Sequence, residues 1–197
     1  LDKEIESPQY KEERTKRKAI PKKVISEKET VNTREEFIAK HERDTRKCEL
    51  DGIPYAIKMA QALVEGSTNK GLTKMAREGH NCFGLKCSNG QCKVKGCNHG
   101  YYTDDLEGET FKHFLSISEC IKYHTQFLQK NNRYDKCFEC GLNDIQCWLY
   151  RLQKSGYATH AHYDRLLQST INHYDLTDEP IKYNREETAK RLAKRLK

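Results

Sequence analysis

The residue placed best for chemistry is Glu65, at the end of the apolar run YAIKMAQALVEG. Pro54 suits a first helical turn, where its missing N–H would have no partner anyway. Ile57, Ala60 and Val64 recur at helical spacing, Ala56 and Leu63 widen the stripe, and Gly66 ends it. Glu65 therefore falls in the last turn of an apolar helix. The partial negative charge there and the apolar neighbours both favour the protonated carboxyl. A carboxylic acid that keeps its proton near neutral pH is what a general acid needs. The same position also suits a surface glutamate with its head in water.

Cysteine and histidine are the other residues that could do chemistry. Cys82, Cys87, Cys92 and Cys97 repeat every five residues, flanked by His80 and His99. Cys137, Cys140 and Cys147 form a second group, and Cys48 and Cys120 stand apart. In an exported protein, disulfides pinning the first group are the simpler reading. In a reducing compartment a structural zinc becomes the alternative, although the five-residue spacing is not a common zinc pattern. The odd total of nine leaves one thiol over. No metal is expected at the catalytic residues, no cofactor is implied, and no Cys–His–Asn arrangement marks a thiol hydrolase.

Four segments taken together carry a family resemblance: AQALVEG, MAREGHNCFGLKC, FKHF and GYATHAHY. In this order and near this spacing they resemble the glucosaminidases of glycoside hydrolase family 73, a family of flagellar muramidase domains and bacterial autolysins. The resemblance spans about Phe37 to Leu176. It implies a mainly α, lysozyme-like helical domain with a small Cys-rich β-lobe flanking the cleft. It also implies an endo-β-N-acetylglucosaminidase that cleaves β-1,4 bonds in peptidoglycan, with Glu65 as catalytic acid. The second catalytic carboxylate belongs on the lobe, where Asp104 fits best, 39 residues beyond Glu65. Asp105, Glu107 and Glu109 stay as candidates, and so does a plain acidic loop. Tyr157, Asn81, Phe83 and Tyr163 are the implied substrate-binding residues.

The chain departs from the family pattern in places. GSTNKGLTK runs about two residues longer than the usual link after the acid. His80 and Asn81 replace two asparagines, and His160-Ala161 replaces Asp-Pro. His80 and His124 read as structural histidines.

The elements that must position these residues follow from pattern. Thr33 with Glu36 has the capping-box form, which starts a helix whose Phe37 and Ile38, followed by Cys48 and Leu50, face a core. Asn89-Gly90 signals a hairpin. Ser116 or Ser118 starts a helix with Ile121, His124, Phe127 and Leu128 inward. A helix with Ile145, Trp148, Leu149 and Leu152 ends at Gly156, and a last one turns Leu166, Leu167, Thr170, Ile171 and Tyr174 inward.

With 197 residues there is room for one domain, 36–177, between a charged linker or tether at 1–35 and a basic amphipathic helix at 178–197. Charged residues make up 33% and mean hydropathy is −0.97. No apolar run approaches the roughly 20 residues of a membrane span. No signal peptide stands at the start, and a first residue of Leu points to a processed N-terminus, which leaves export open. A net charge of +7 favours acidic partners such as wall polymers. A nucleic-acid binder would share that charge, but no readout motif accompanies it. The expected place of action is the cell envelope, periplasmic or secreted, or a virion or secretion machine. The alternative function is a phage-tail, secretion or envelope assembly protein that uses the domain to bind or locally open the wall.

Overall fold

A computed structural model describes residues 33–68, 70–87, 99–102, 109–178 and 181–195. The element at the centre is the helix Tyr55–Gly66, here α2, with ten of its twelve residues buried. A helix that is apolar on nearly every side belongs inside. It packs against α1 (Arg34–Arg46), α6 (Ile145–Lys154) and α7 (Tyr163–His173). Around this core lie α3 (Lys74–Gly79), α4 (Ile117–Lys130), the short α5 (Asp135–Phe138) and α8 (Arg185–Arg195).

The starts expected at Thr33 and Ser116 are present, and Asp144 is a further cap that pattern reading did not name. Thr33 and Glu36 form a reciprocal capping box on α1. Ser116 caps α4 by accepting from the Glu119 N–H at 3.1 Å, and Asp144 caps α6 by accepting from the Cys147 N–H. Each cap satisfies an N–H that the helix leaves unpaired. Gly156, at φ +65°, stands just past the end of α6, where a left-handed residue is needed.

Two inward assignments are corrected. Leu50 is 91% exposed. It lies in a 3-10 turn, Lys47–Asp51, whose three-residue period turns Cys48 inward and Leu50 out. Leu166 is also exposed, because Tyr163, Leu167, Thr170 and Ile171 fill the buried face of α7.

The link after α2 folds into a two-residue antiparallel pair, β1 (Ser67–Thr68) with β2 (Gly71–Leu72). A second pair, β3 (His99–Tyr102) with β4 (Glu109–Lys112), is antiparallel with Tyr102 opposite Glu109. The stretch 85–87 runs along β4: the Cys87 N–H donates to Thr110 O, and the Lys112 N–H to Leu85 O. Asn89-Gly90 lies outside the described residues.

The C-terminal helix is fastened to the body. Arg191 donates to both carboxylate oxygens of Asp144, at 2.7 and 2.9 Å, and Leu192 is buried. Arg185 donates to both oxygens of Asp164, which also accepts from the Tyr183 hydroxyl. Cys140 and Cys147 form a disulfide at the corner of α5 and α6, leaving Cys137 free, and Cys87 is also disulfide-bonded. No helix among the described residues is long and apolar enough to cross a membrane.

Candidate active site

Glu65 stands in the last turn of α2 and is half-buried. That end of the helix is held from three sides. Ser67 Oγ donates to Leu63 O, and Arg34 of α1 donates to Ser67 Oγ at 2.6 Å. A guanidinium at a helix C-terminus also offsets the dipole there. Gly66 lies so close to Cys82 that a Cβ would sit 3.0–3.1 Å from its backbone and Cβ. The missing side chain therefore lets the loop after α3 close against the end of α2.

Asn81 builds that loop. It is fully buried, its Oδ1 accepts from the Leu85 N–H at 3.0 Å, and its Nδ2 donates to Leu85 O and Lys112 O at 2.9 Å. It thus ties the loop to β4, and its buried amide is occupied by backbone instead of being presented to a substrate. Asn81→Ala leaves the buried Leu85 N–H without its acceptor, at about 1–3 kcal/mol, and takes one donor from Leu85 O and from Lys112 O. The expected loss is about 2–3 kcal/mol in urea unfolding, with activity falling as the loop loosens. His80 adopts φ +50° at the end of α3, with Nδ1 2.9 Å from Phe114 O.

Tyr157 follows Gly156 and is half-buried. Its ring stacks with Tyr163 at 5.3 Å and meets His124 edge-on at 5.7 Å. Tyr163 is 1% exposed and Phe83 4%, so both form the wall behind Glu65 and Tyr157. Burial, and then the charge of Glu65, push the Tyr157 phenol well above its usual range. Burial, then Tyr157 and Glu65, do the same to Tyr163. Both remain hydroxyl donors at any working pH. The Tyr163 hydroxyl and the Gln61 amide make no regular hydrogen bond, yet Gln61 and Glu65 are near enough to that hydroxyl to shift its ionisation.

Behind Tyr157 lie two residues that pattern reading did not assign to the site. Lys58, on α2, is completely buried, with Nζ 2.7 Å from His124 Nδ1. His124 Nε2 is 2.8 Å from the Tyr157 hydroxyl, and its ring stacks on Phe83 at 3.9 Å. Lys58, Gln61 and Glu65 recur at helical spacing as a polar stripe along an otherwise apolar helix, and that stripe is the local signal that could have found Lys58. Burial pushes Lys58 down from 10.5 to about 8, with the thiols of Cys48, Cys82 and Cys120 and then Asp51 acting in the other direction.

This shift has a sign that can be tested. Between pH 8 and 10.5 the unfolded chain holds more lysine protons than the folded one, so Lys58 adds stability as pH rises. The buried thiols oppose this above pH 9: burial raises Cys48 and Cys137 to about 12, so their unfolded forms ionise first. The comparison with Lys58→Met removes them. Wild type should gain roughly 2–4 kcal/mol on that variant between pH 7 and 10.5, in parallel urea melts.

Asp104, Asp105 and Glu107 lie outside the described residues, and Glu109 is placed only by its pairing in β4. Cys92 and Cys97 also lie outside them. Among the described residues no group of three or more His, Cys, Asp or Glu is arranged to hold a metal ion.

Comparison with solved structures agrees with this architecture. The glycoside hydrolase domain of FlgJ from Salmonella typhimurium is 22% identical, with a TM-score of 0.55 over 83% of this chain and 97% of that one. The peptidoglycan hydrolase from Sphingomonas sp. A1 is 22% identical, with a TM-score of 0.57 over 71% and 88%. The catalytic domain of the autolysin Auto from Listeria monocytogenes is 19% identical, with a TM-score of 0.57 over 89% and 98%. No curated protein matches the chain. Residues 45–176 match the Glucosaminidase family, described as mannosyl-glycoprotein endo-beta-N-acetylglucosaminidase, and that span holds Glu65, Asn81 and Tyr157. The chain belongs to this glucosaminidase family and is an endo-β-N-acetylglucosaminidase-type glycoside hydrolase.

Proposed function

We propose that this protein hydrolyses the β-1,4 bond after N-acetylglucosamine in peptidoglycan, outside the cytoplasm, in the periplasm or as a secreted enzyme. The observation that carries this reading is Glu65, half-buried in the last turn of a buried helix and close to the stacked pair Tyr157 and Tyr163.

In this mechanism the Glu65 carboxyl gives its proton to the glycosidic oxygen as the C1–O bond breaks. Positive charge develops on the sugar ring, and Asp104 on the lobe is the leading partner to steady it or to activate water. Water adds its oxygen to C1, and its spare proton restores the acid. The substrate's own acetamido oxygen offers an internal route to the same products, in which the lobe carboxylate supports the acetamido group instead. Tyr157 meets the sugar, with its ring against a face and its hydroxyl at the acetamide. The net charge of +7 draws the protein to anionic wall polymer.

Digestion of purified sacculi, with reducing ends read by mass spectrometry, tests the reading. Products that end in reducing N-acetylglucosamine are expected. Reducing N-acetylmuramic acid would overturn the bond assignment and make the enzyme a muramidase. Pelleting with sacculi without release of fragments would overturn the enzyme and favour a wall-binding assembly protein.

A further inference from the structure

Lys58 has no carboxylate for a partner in the buried contact that holds it: its Nζ meets His124 Nδ1 at 2.7 Å. The Phe83 ring lies 5.5 Å from the same nitrogen and packs flat on His124. Burying a lysine is costly, and an apolar residue would fill a helix interior more stably. The arrangement gains something else, namely a direction. A lysine ammonium has only donors. Burial, and then the Lys58 charge, hold His124 well below 6.5, so its ring is neutral and one nitrogen must accept while the other donates. Lys58 assigns acceptance to Nδ1. Nε2 therefore carries the proton and faces the Tyr157 oxygen at 2.8 Å.

We infer that Lys58 and His124 are positioning residues that set the polarity of Tyr157: Lys58 donates to His124, His124 donates to the Tyr157 oxygen, and the phenolic hydrogen is left to point into the cleft. Glu65 lies near enough to that phenol for its charge to act on it, second only to burial. The ligand this geometry suits is a hydrogen-bond acceptor, the acetamido carbonyl of the sugar bound beside Glu65. The inference rests on the proposed function for that ligand, whereas the polarity of the relay does not depend on it.

Two experiments test it on the full chain. The first needs no activity: nitrogen-15 NMR of the wild-type histidines should show His124 as the neutral tautomer protonated on Nε2. A proton on Nδ1, or an imidazolium at pH 7, would overturn the relay whatever the enzyme does. The second is a double-mutant cycle on sacculi. Lys58→Met and Tyr157→Phe should each lower kcat/KM roughly ten- to hundredfold. The double variant should be no worse than Tyr157→Phe alone, because Lys58 acts through the tyrosine. Full activity in folded Lys58→Met, or losses that multiply, would overturn the inference. If Lys58→Met fails to fold, the NMR result decides. If wild type releases no fragments, the proposed function falls, and the tautomer still reports on the relay.

Discussion

Glu65→Gln is expected to lower hydrolysis of sacculi by about 10²–10⁴-fold, the usual contribution of a positioned general acid. The variant keeps the shape of the side chain and replaces the acidic hydroxyl by an amide NH2 that cannot give up a proton. Glu65 is half-buried in the last turn of α2, so the amide fits and the core of that helix is untouched. Its melting temperature should therefore stay within a few degrees of wild type. Binding to sacculi should persist, since Tyr157 and its packing against Tyr163 and His124 are unchanged. Loss of reducing ends with binding retained identifies the acid. A Glu65→Gln protein that still cleaves at a wild-type rate would remove Glu65 from the chemistry.

The second large effect concerns Arg185. Asp164 is fully buried on α7, next to Tyr163, and Arg185 from the C-terminal segment grips both its oxygens. Burial alone would raise the carboxyl, but Arg185, the Tyr183 hydroxyl and the Arg165 N–H outweigh it and hold it below its usual value. Arg185→Met strands a buried negative charge, and breaking such a pair costs about 3–5 kcal/mol. Asp164→Asn should cost less, because the abandoned Arg185 is one-third exposed and can turn to water. The pH dependence should invert. In wild type the depressed Asp164 contributes stability above pH 4 that is lost as pH falls through its folded value. In Arg185→Met burial raises the same carboxyl, whose penalty then appears as pH rises. Urea midpoints at pH 7 and pH 4 should show the gap between the two proteins narrowing in acid. A constant gap would mean that Arg185 acts by packing alone.

Much of the helical frame was legible because its signals are local. Pro54 and Gly66 bracket α2 as its pattern predicts, and Thr33, Ser116 and Gly156 mark ends by their own chemistry. Leu50 misled because a 3-10 turn changes the period without changing composition. Lys58 and His124 were harder: they meet across 66 positions, and nothing near either one names the other. Cysteine spacing showed the same limit. Cys137, Cys140 and Cys147 group in sequence, but the bond joins Cys140 to Cys147. Connectivity depends on which side chains the fold brings together, and spacing alone does not encode that.

The free thiols have a practical consequence. Cys48, Cys82, Cys120 and Cys137 are buried at 2% exposure or less, in a turn, a loop and two helices. An alkylating reagent reaches them only when the surrounding structure opens, and it reacts with the thiolate. Among the described residues, these four thiols therefore act as built-in clocks. Timed alkylation followed by peptide mass mapping would rank the breathing of the α2 entry, the Asn81 loop, α4 and the α5 corner separately. Cys82 and Cys120, whose sulfurs lie 3.9 Å apart, should become reactive together, because an opening that frees one uncovers the other.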